Sequence, residues 1–167
     1  LASPMGVLVS LTTKGTQSAP EKNRDLLQKL ANDVRSRLRD WLFAEGRDMM
    51  EEVVGRELAK RGLTVAVAES CTGGLIGHRL TQVAGSSAYL DRAAVCYSNR
   101  AKTEMLGVPA KLIAQQCAVS KEVSAAMACG IRERANVSVG LSVTGIAGPS
   151  GGTETKPVGL VYVGLDD

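Results

Sequence analysis

The sequence predicts an α/β fold of three layers, in which helices cover both faces of a mostly parallel or mixed β-sheet. Two observations predict it. Short apolar runs that suit buried strands recur between residues 63 and 165, and segments with helical periodicity alternate with them. Such alternation is typical of parallel or mixed sheets covered on both faces. A short strand and a long helix precede this pattern, and we interpret them as a partial remnant of an upstream domain.

Residues 1–46 are predicted to be the tail of that preceding domain with a linker helix. Val7 to Thr12 favours a short strand, and Lys14 to Pro20 is rich in turn-forming residues. A helix is predicted from Glu21 to Ala44, because apolar residues recur there on one face. That face consists of Leu26, Leu27, Leu30, Val34, Leu38, Trp41 and Leu42. So apolar a face needs a partner, and we expect the chain to form a homo-oligomer or to contact another domain there.

Residues 47–167 are predicted to form the α/β domain. Asp48 followed by Glu51 resembles a capping box and opens a helix that ends at Gly62. The predicted strands are 63–68, 93–98, 137–144 and 158–165, and the predicted helices are 73–83, 99–106, 109–116 and 120–135.

The composition excludes several classes of protein. The net charge is only +3 and aromatic residues make up 3% of the chain, so we expect no nucleic-acid partner. No apolar run is long enough to span a membrane, and the N-terminus lacks the basic start of a signal peptide. Four cysteines without a CxxC pair and a single histidine predict neither a metal site nor a disulfide framework. We therefore expect a cytoplasmic protein with reduced thiols and no cofactor.

The segment AESCTGG (68–74) follows a predicted strand and contains the candidate nucleophile Ser70. Ligands of open α/β sheets bind beyond the carboxyl ends of the strands. The glycines allow a tight turn, and the N–H groups at the start of the next helix suit a phosphate or an oxyanion. Equally, Ser70 or Thr72 could do no more than cap that helix. Cys71 is a second candidate nucleophile, although a packing role suits it better, because adjacent residues in a turn point in different directions.

A serine nucleophile needs a base, and the only histidine is badly placed for this. His78 lies on the same predicted helix, roughly 12 Å further along its axis, which excludes a Ser-His-Asp triad. A lysine made neutral by burial is the alternative. Lys102 in YSNRAK (97–102) is the best candidate, because it follows a strand that ends at the same sheet edge if the strands are parallel. Tyr97 could relay a proton or orient this lysine, whereas the other interpretation of Lys102 is a solvated helix residue.

A Gly-rich loop, TGIAGPSGGTETKP (144–157), follows another predicted strand. Its backbone N–H groups could cradle a phosphate or a ribose. The loop could also be a flexible connection, but at this length a functional role is more common. Arg100 and Lys156 are candidates for holding a phosphate.

These segments, in this order, resemble the C-terminal domain of the competence/damage-inducible CinA family, and closely its nicotinamide mononucleotide deamidase form. The resemblance covers about residues 48–165. The matching segments are AESCTGG (68–74), AGSSAYL (84–90), YSNRAK (97–102), GVP (107–109), AVS (118–120) and TGIAGPSGGTETKPVGLVY (144–162). Family domains usually continue with a further strand and a C-terminal helix, so the resemblance implies that residues 47–167 are a form of the domain shortened at its C-terminus.

The resemblance also implies an activity: hydrolysis of the carboxamide of nicotinamide mononucleotide to nicotinate mononucleotide and ammonia, a reaction of NAD recycling. Ser70 would be the nucleophile, Lys102 the base and Tyr97 its supporting partner. The residues implied to bind the substrate are Glu69, Thr72, Gly73, Gly74, Asn99, Thr144, Gly145, Ala147 and Gly148. A non-catalytic nucleotide-binding module is the alternative, and hydrolysis of a different small amide is a third hypothesis.

Overall fold

A computed structural model describes residues 2–3, 6–14 and 20–167. The chain divides into two compact units, residues 1–53 and 54–167. The boundary predicted at residue 46 thus lies within the first unit.

The first unit contains a small hairpin and a long helix. Strands β1 (Ala2–Ser3) and β2 (Gly6–Val7) pair antiparallel. The strand predicted from Val7 to Thr12 is wrong beyond Val7, because residues 8–14 have no regular structure. Their apolar side chains instead line a cavity of about 740 Å³ together with residues of the helix and the segment after it. Of the turn predicted between Lys14 and Pro20, residues 15–19 lie outside the described residues.

The long helix, α1, spans Pro20–Leu38 and continues as a 3₁₀ turn over Arg39–Trp41. It ends before the predicted Ala44, because the backbone of Leu42 is extended (φ −92°, ψ +103°) and cannot continue a helix. The apolar face is partly exposed: Leu26 has 49% and Trp41 has 85% of its surface accessible.

Helix α2 spans Met50–Arg61 and ends before Gly62, as predicted. Glu52 accepts a hydrogen bond from the Met49 N–H at 2.7 Å, a capping contact one residue later than the predicted pair of Asp48 and Glu51.

The second unit is built on a four-stranded mixed sheet. Its strands are β3 (Val65–Glu69), β4 (Leu90–Val95), β5 (Val139–Gly145) and β6 (Val161–Asp166), in the order β4-β3-β5-β6. The first three are parallel, and β6 runs antiparallel to β5. The α/β fold with a mixed sheet is therefore confirmed. The predicted strand 93–98 is observed three residues earlier, because pairing with β3 sets its register and places Leu90 opposite Val65.

Helices cover both faces of this sheet. They are α3 (Leu75–Thr81), α4 (Asn99–Leu106), α5 (Ala110–Gln116) and α6 (Lys121–Ala135). Successive side chains of a strand point to opposite faces. Ala66 and Ala68 of β3 accordingly face one core with α4, α5 and α6, whereas Val65 and Val67 face another with α3.

Candidate functional site

Ser70 directly follows the carboxyl end of β3, at the edge where the three parallel strands end. Its N–H donates to the Val143 carbonyl at 3.0 Å, which extends the ladder between β3 and β5 by one residue. The serine is only 7% exposed. By the alternation of the strand it shares the face of Ala66 and Ala68, the side on which α4 packs.

Lys102 lies in the first turn of α4 and is 1% exposed. Its Nζ donates to Ser70 Oγ at 3.0 Å and to the carbonyls of Cys96 at 2.8 Å and Tyr97 at 3.0 Å. Burial lowers the pKa of Lys102, against a smaller raising effect of the nearby Cys96 and Cys71 thiols. The interpretation of Lys102 as a solvated helix residue is therefore wrong.

Ser98 fixes the start of α4, because its side chain accepts a hydrogen bond from the Ala101 N–H at 3.0 Å. The first turn of the helix, including Lys102, is thereby held just after the end of β4. Parallel pairing of β3 and β4 brings this helix start to the same edge as Ser70.

The turn after Ser70 depends on two glycines with left-handed backbone, Gly73 (φ +61°) and Gly74 (φ +100°). The Gly73 N–H donates to the Ser70 carbonyl at 3.1 Å, and the Gly74 N–H donates to Glu69 Oε2 at 3.0 Å. The expectation that the start of the next helix offers free N–H groups is therefore wrong for Gly73 and Gly74. Within the described part of the chain, the N–H groups of Cys71 and Thr72 donate no hydrogen bond.

The side chain of Glu69 is fully buried. Besides Gly74, it accepts from the N–H of Ile76 at 3.1 Å and of Gly77 at 2.8 Å. These bonds place the carboxylate on the α3 side of β3, opposite Lys102, and commit it to backbone groups instead of the predicted substrate contact. The prediction that Ser70 or Thr72 caps α3 is wrong. The N-cap position is Gly74, and neither hydroxyl caps the helix.

Thr72 is the one residue of the turn with an unsatisfied hydroxyl. Its Oγ1 is buried and has no hydrogen-bond partner among the described residues. Buried polar atoms are nearly always paired, so an orphan beside a candidate nucleophile is a candidate ligand contact.

The end of β5 forms a second wall against this turn. A Cβ on Gly145 would lie 2.8 Å from the Leu160 carbonyl oxygen and 3.0 Å from Cys71 Sγ, so glycine at this position lets the strand approach both the loop and the turn closely. Cys71 thus packs on Gly145, while Lys102 is hydrogen-bonded to Ser70. Thr144 is buried and its hydroxyl donates to the Ala118 carbonyl at 3.0 Å, so this hydroxyl is engaged within the protein and not directed at a ligand.

The Gly-rich loop between β5 and β6 is closed at its base. The Ile146 N–H donates to the Leu160 carbonyl at 2.9 Å, and the Gly159 N–H to the Ile146 carbonyl at 2.8 Å. Lys156 Nζ donates to the carbonyls of Gln116 at 2.9 Å and Val119 at 2.8 Å. The loop is thus fastened to the end of α5 and to the segment that follows it, and the ammonium considered for a phosphate is bound to two carbonyls. The predicted contacts Ala147 and Gly148 lie in this loop; Ala147 is exposed, and Gly148 has φ +84°.

The remaining predicted residues are solvent-exposed. Tyr97 is 73% exposed and contacts Lys102 through its backbone carbonyl, not its phenol. Asn99 is exposed at the first position of α4, and Arg100, with its side chain 84% exposed, lies 3.8 Å from Glu104. His78 lines a groove of about 490 Å³ with Asp91 and Arg92, and Ser70 does not line that groove.

The described residues contain no group of three or more His, Cys, Asp or Glu side chains that could hold a metal ion. None of their helices is both long and apolar enough to cross a membrane.

Comparison with known sequences identifies one family. The family described as "CinA C-terminal domain" matches residues 47–167. A competence-damage inducible protein of Moorella thermoacetica is 49% identical over 166 residues, which are 99% of this chain and 40% of the relative. A CinA-like protein of Citrifermentans bemidjiense is 55% identical over 149 residues, or 89% of this chain and 36% of that protein. The chain therefore spans about two fifths of the length of the curated relatives it matches.

Solved structures give the same result. The competence/damage inducible protein CihA from Agrobacterium tumefaciens matches with a TM-score of 0.65 and 44% identity, over 74% of this chain and 75% of that one. A competence-damaged protein (CinA) superfamily protein from Escherichia coli matches with a TM-score of 0.68 and 28% identity, over 77% of each chain.

Proposed function

Because the chain belongs to the family of the CinA C-terminal domain, we propose that it is an amidohydrolase that acts on nicotinamide mononucleotide. The reaction converts the carboxamide to a carboxylate and gives nicotinate mononucleotide and ammonia. The observation that carries the proposal is the 3.0 Å hydrogen bond between the buried Lys102 Nζ and Ser70 Oγ. This pair is the arrangement of a serine nucleophile with a lysine base.

The hydrogen bonds of Lys102 suit a neutral amine that faces the serine. A carbonyl oxygen only accepts, so the two N–H bonds of a neutral Nζ are directed to the carbonyls of Cys96 and Tyr97. In this neutral form the lone pair is left to accept from the Ser70 O–H, whereas the protonated amine donates to Ser70 Oγ across the same 3.0 Å. Burial, which lowers the pKa of Lys102, increases the fraction of this neutral form near neutral pH.

In the first step, Nζ takes the Ser70 proton while Oγ attacks the carboxamide carbon. The carbonyl electrons move to the oxygen, and the resulting oxyanion accepts hydrogen bonds from the free N–H groups of Cys71 and Thr72. When the tetrahedral intermediate collapses, the C–N bond breaks and the Lys102 ammonium protonates the leaving nitrogen, which departs as ammonia.

In the second step, water attacks the acyl-serine ester and gives a proton to Lys102. The ester C–O bond breaks, the proton returns to Ser70 Oγ, and the carboxylic acid is released. One water is consumed for each ammonia formed, and both residues return to their starting state.

Two features support a bound nucleotide at this edge of the sheet. The hydroxyl of Thr72, two residues after Ser70, is buried without a hydrogen-bond partner in the described structure, and we expect it to bind the substrate. The loop of residues 146–160, held in place by Lys156, follows β5, which ends at the same sheet edge as β3, and we expect the ribose phosphate to lie against this loop.

The test is an assay of ammonia release with nicotinamide mononucleotide, nicotinamide riboside and nicotinamide as parallel substrates. We expect turnover with the mononucleotide and its loss in Ser70→Ala and Lys102→Ala. Turnover of nicotinamide alone at the same rate would indicate hydrolysis of a simpler amide. Binding of the mononucleotide, measured by calorimetry, without ammonia release would indicate a non-catalytic nucleotide-binding module and would overturn the proposal.

A further inference from the structure

We propose that Glu69 is a positioning residue: its carboxylate holds the turn that carries Ser70 and leaves the N–H groups of Cys71 and Thr72 as the donors for the oxyanion. This inference rests on the proposed function, because it concerns the same site. It gives Glu69 a role different from direct contact with the substrate.

The burial of Glu69 requires a compensating interaction. A carboxylate removed from water is unfavourable unless hydrogen bonds or an opposite charge replace its hydration. Three backbone N–H groups at 2.8–3.1 Å provide those bonds, and they belong to Gly74, Ile76 and Gly77 at the start of α3. Bonds from N–H groups to a charged acceptor are stronger than neutral ones, and the helix dipole adds to them.

Glu69 holds both ends of the turn. Its backbone belongs to β3, where its carbonyl accepts from the Cys96 N–H at 2.7 Å. Its side chain reaches five residues ahead to Gly74. Glu69 alone therefore closes the loop of residues 70–73, and Ser70 follows Glu69 directly in the chain.

The same bonds determine which N–H groups remain free. Glu69 accepts from Gly74, Ile76 and Gly77, while the N–H groups of Ser70, Gly73 and Leu75 donate to backbone carbonyls. Only Cys71 and Thr72 are left between residues 70 and 77 in the described structure. Removal of the carboxylate would release three further donors next to these two, and the turn would lose its fixed direction relative to Lys102.

The experiment compares Glu69→Gln, Glu69→Asp and wild type. Gln has the same shape but can accept through only one oxygen, and its NH₂ group opposes an N–H of α3. We expect kcat for ammonia release to fall about 10²-fold in Glu69→Gln, the effect typical of a lost oxyanion donor. KM should change little, and the pH at which the rate is half-maximal should not move, since that pH reports Lys102. Glu69→Asp keeps the charge, so it should fold even if Glu69→Gln does not, and it should lose activity because it is one methylene shorter.

A second readout is independent of the amide substrate. An alkyl fluorophosphonate forms a P–O bond with a reactive serine and releases fluoride, and its phosphoryl oxygen requires the same donors as the oxyanion. We expect the rate of Ser70 labelling, followed by mass spectrometry, to fall in parallel with kcat in the Glu69 variants. The control is Ser120→Ala, which removes the cap of α6 and its bond from the Val123 N–H. This variant should be less stable but should label at the wild-type rate.

The outcomes separate the two proposals. If wild type is labelled at Ser70 and Glu69→Gln is labelled slowly, but the mononucleotide is not hydrolysed, the proposed substrate is wrong and the role of Glu69 stands. If the folded Glu69 variants are labelled and turn over like wild type, the role of Glu69 is overturned. A higher KM with an unchanged kcat in the Glu69 variants would also overturn the proposed role, because that pattern indicates substrate contact.

Discussion

Lys102 Nζ and Ser70 Oγ lie 3.0 Å apart although 32 residues separate them in the sequence. The parallel pairing of β3 and β4 brings the two together, because each residue follows the carboxyl end of its strand. Both are buried, at 1% and 7% exposure, so solvent does not weaken the contact.

Replacing Ser70 should abolish ammonia release, whereas replacing Cys71 should not. Ser70→Ala removes the nucleophile, and we expect ammonia release to fall by about 10³-fold or more. Cys71→Ala removes a sulfur that packs on Gly145, and it should keep most of the activity. Initial rates with the mononucleotide measure both. Loss of activity in Cys71→Ala together with turnover by Ser70→Ala would identify the cysteine as the nucleophile.

The activity should rise with pH through the pKa of Lys102. Below that pKa, Nζ is protonated and cannot accept the Ser70 proton; above it, the neutral amine can. Because burial lowers this pKa, the midpoint of the rise in kcat/KM should lie below the ordinary lysine value of 10.5. Lys102→Ala should lack both the activity and this rise, and a midpoint at or above 10.5 would contradict a buried lysine base.

The phenol of Tyr97 should be dispensable. Its backbone carbonyl, which holds Lys102 at 3.0 Å, is present in every variant, whereas its side chain is 73% exposed. We expect Tyr97→Phe to keep the wild-type kcat and pH midpoint. A proton relay through the phenol predicts the reverse: Tyr97→Phe would lose as much kcat as Tyr97→Ala.

Loss of Lys156 should weaken substrate binding through the loop. Lys156→Met removes two hydrogen bonds to carbonyls of Gln116 and Val119, and such bonds from a charged donor contribute about 1.5–3 kcal/mol each when buried. Lys156 is partly exposed, so we expect a smaller loss of about 1–2 kcal/mol in the free energy of unfolding, measured with urea. KM should rise more than kcat falls.

The control for this variant is Lys111→Met on α5, where the lysine is exposed. It removes the same charge without touching the loop, and it should leave KM unchanged. Equal effects of the two substitutions on KM would mean that Lys156 acts through net charge and not through the loop.

The sequence predicted the parts of this structure that depend on local pattern. The α/β class follows from alternating apolar runs, and α4 has the predicted bounds, because Ser98 before it and Gly107 after it are strong helix signals. The meeting of Ser70 and Lys102 could be predicted because both follow strands, and parallel strands end at one edge.

Features that depend on contacts between residues distant in the sequence could not be predicted in the same way. The start of β4 is set by its register with β3, and Leu8, Val9 and Leu11 line a cavity instead of pairing as a strand. The resemblance to the family implied that Glu69 contacts the substrate. A signal was present: a charged residue that ends an otherwise apolar strand must find buried partners, and the next helix supplies them.

Because Glu69 and Ser70 point to opposite sides of β3, both depend on the number of residues that precede them in the strand. Side chains alternate with a period of two, so the insertion of one residue after Ala68 would turn the carboxylate toward Lys102 and the hydroxyl toward α3. The reaction and the support for its turn would then fail together, although every residue of the site would still be present. A change of length between Val65 and Ser70 therefore removes both functions at once, whereas a substitution at Glu69 or Ser70 removes one of them.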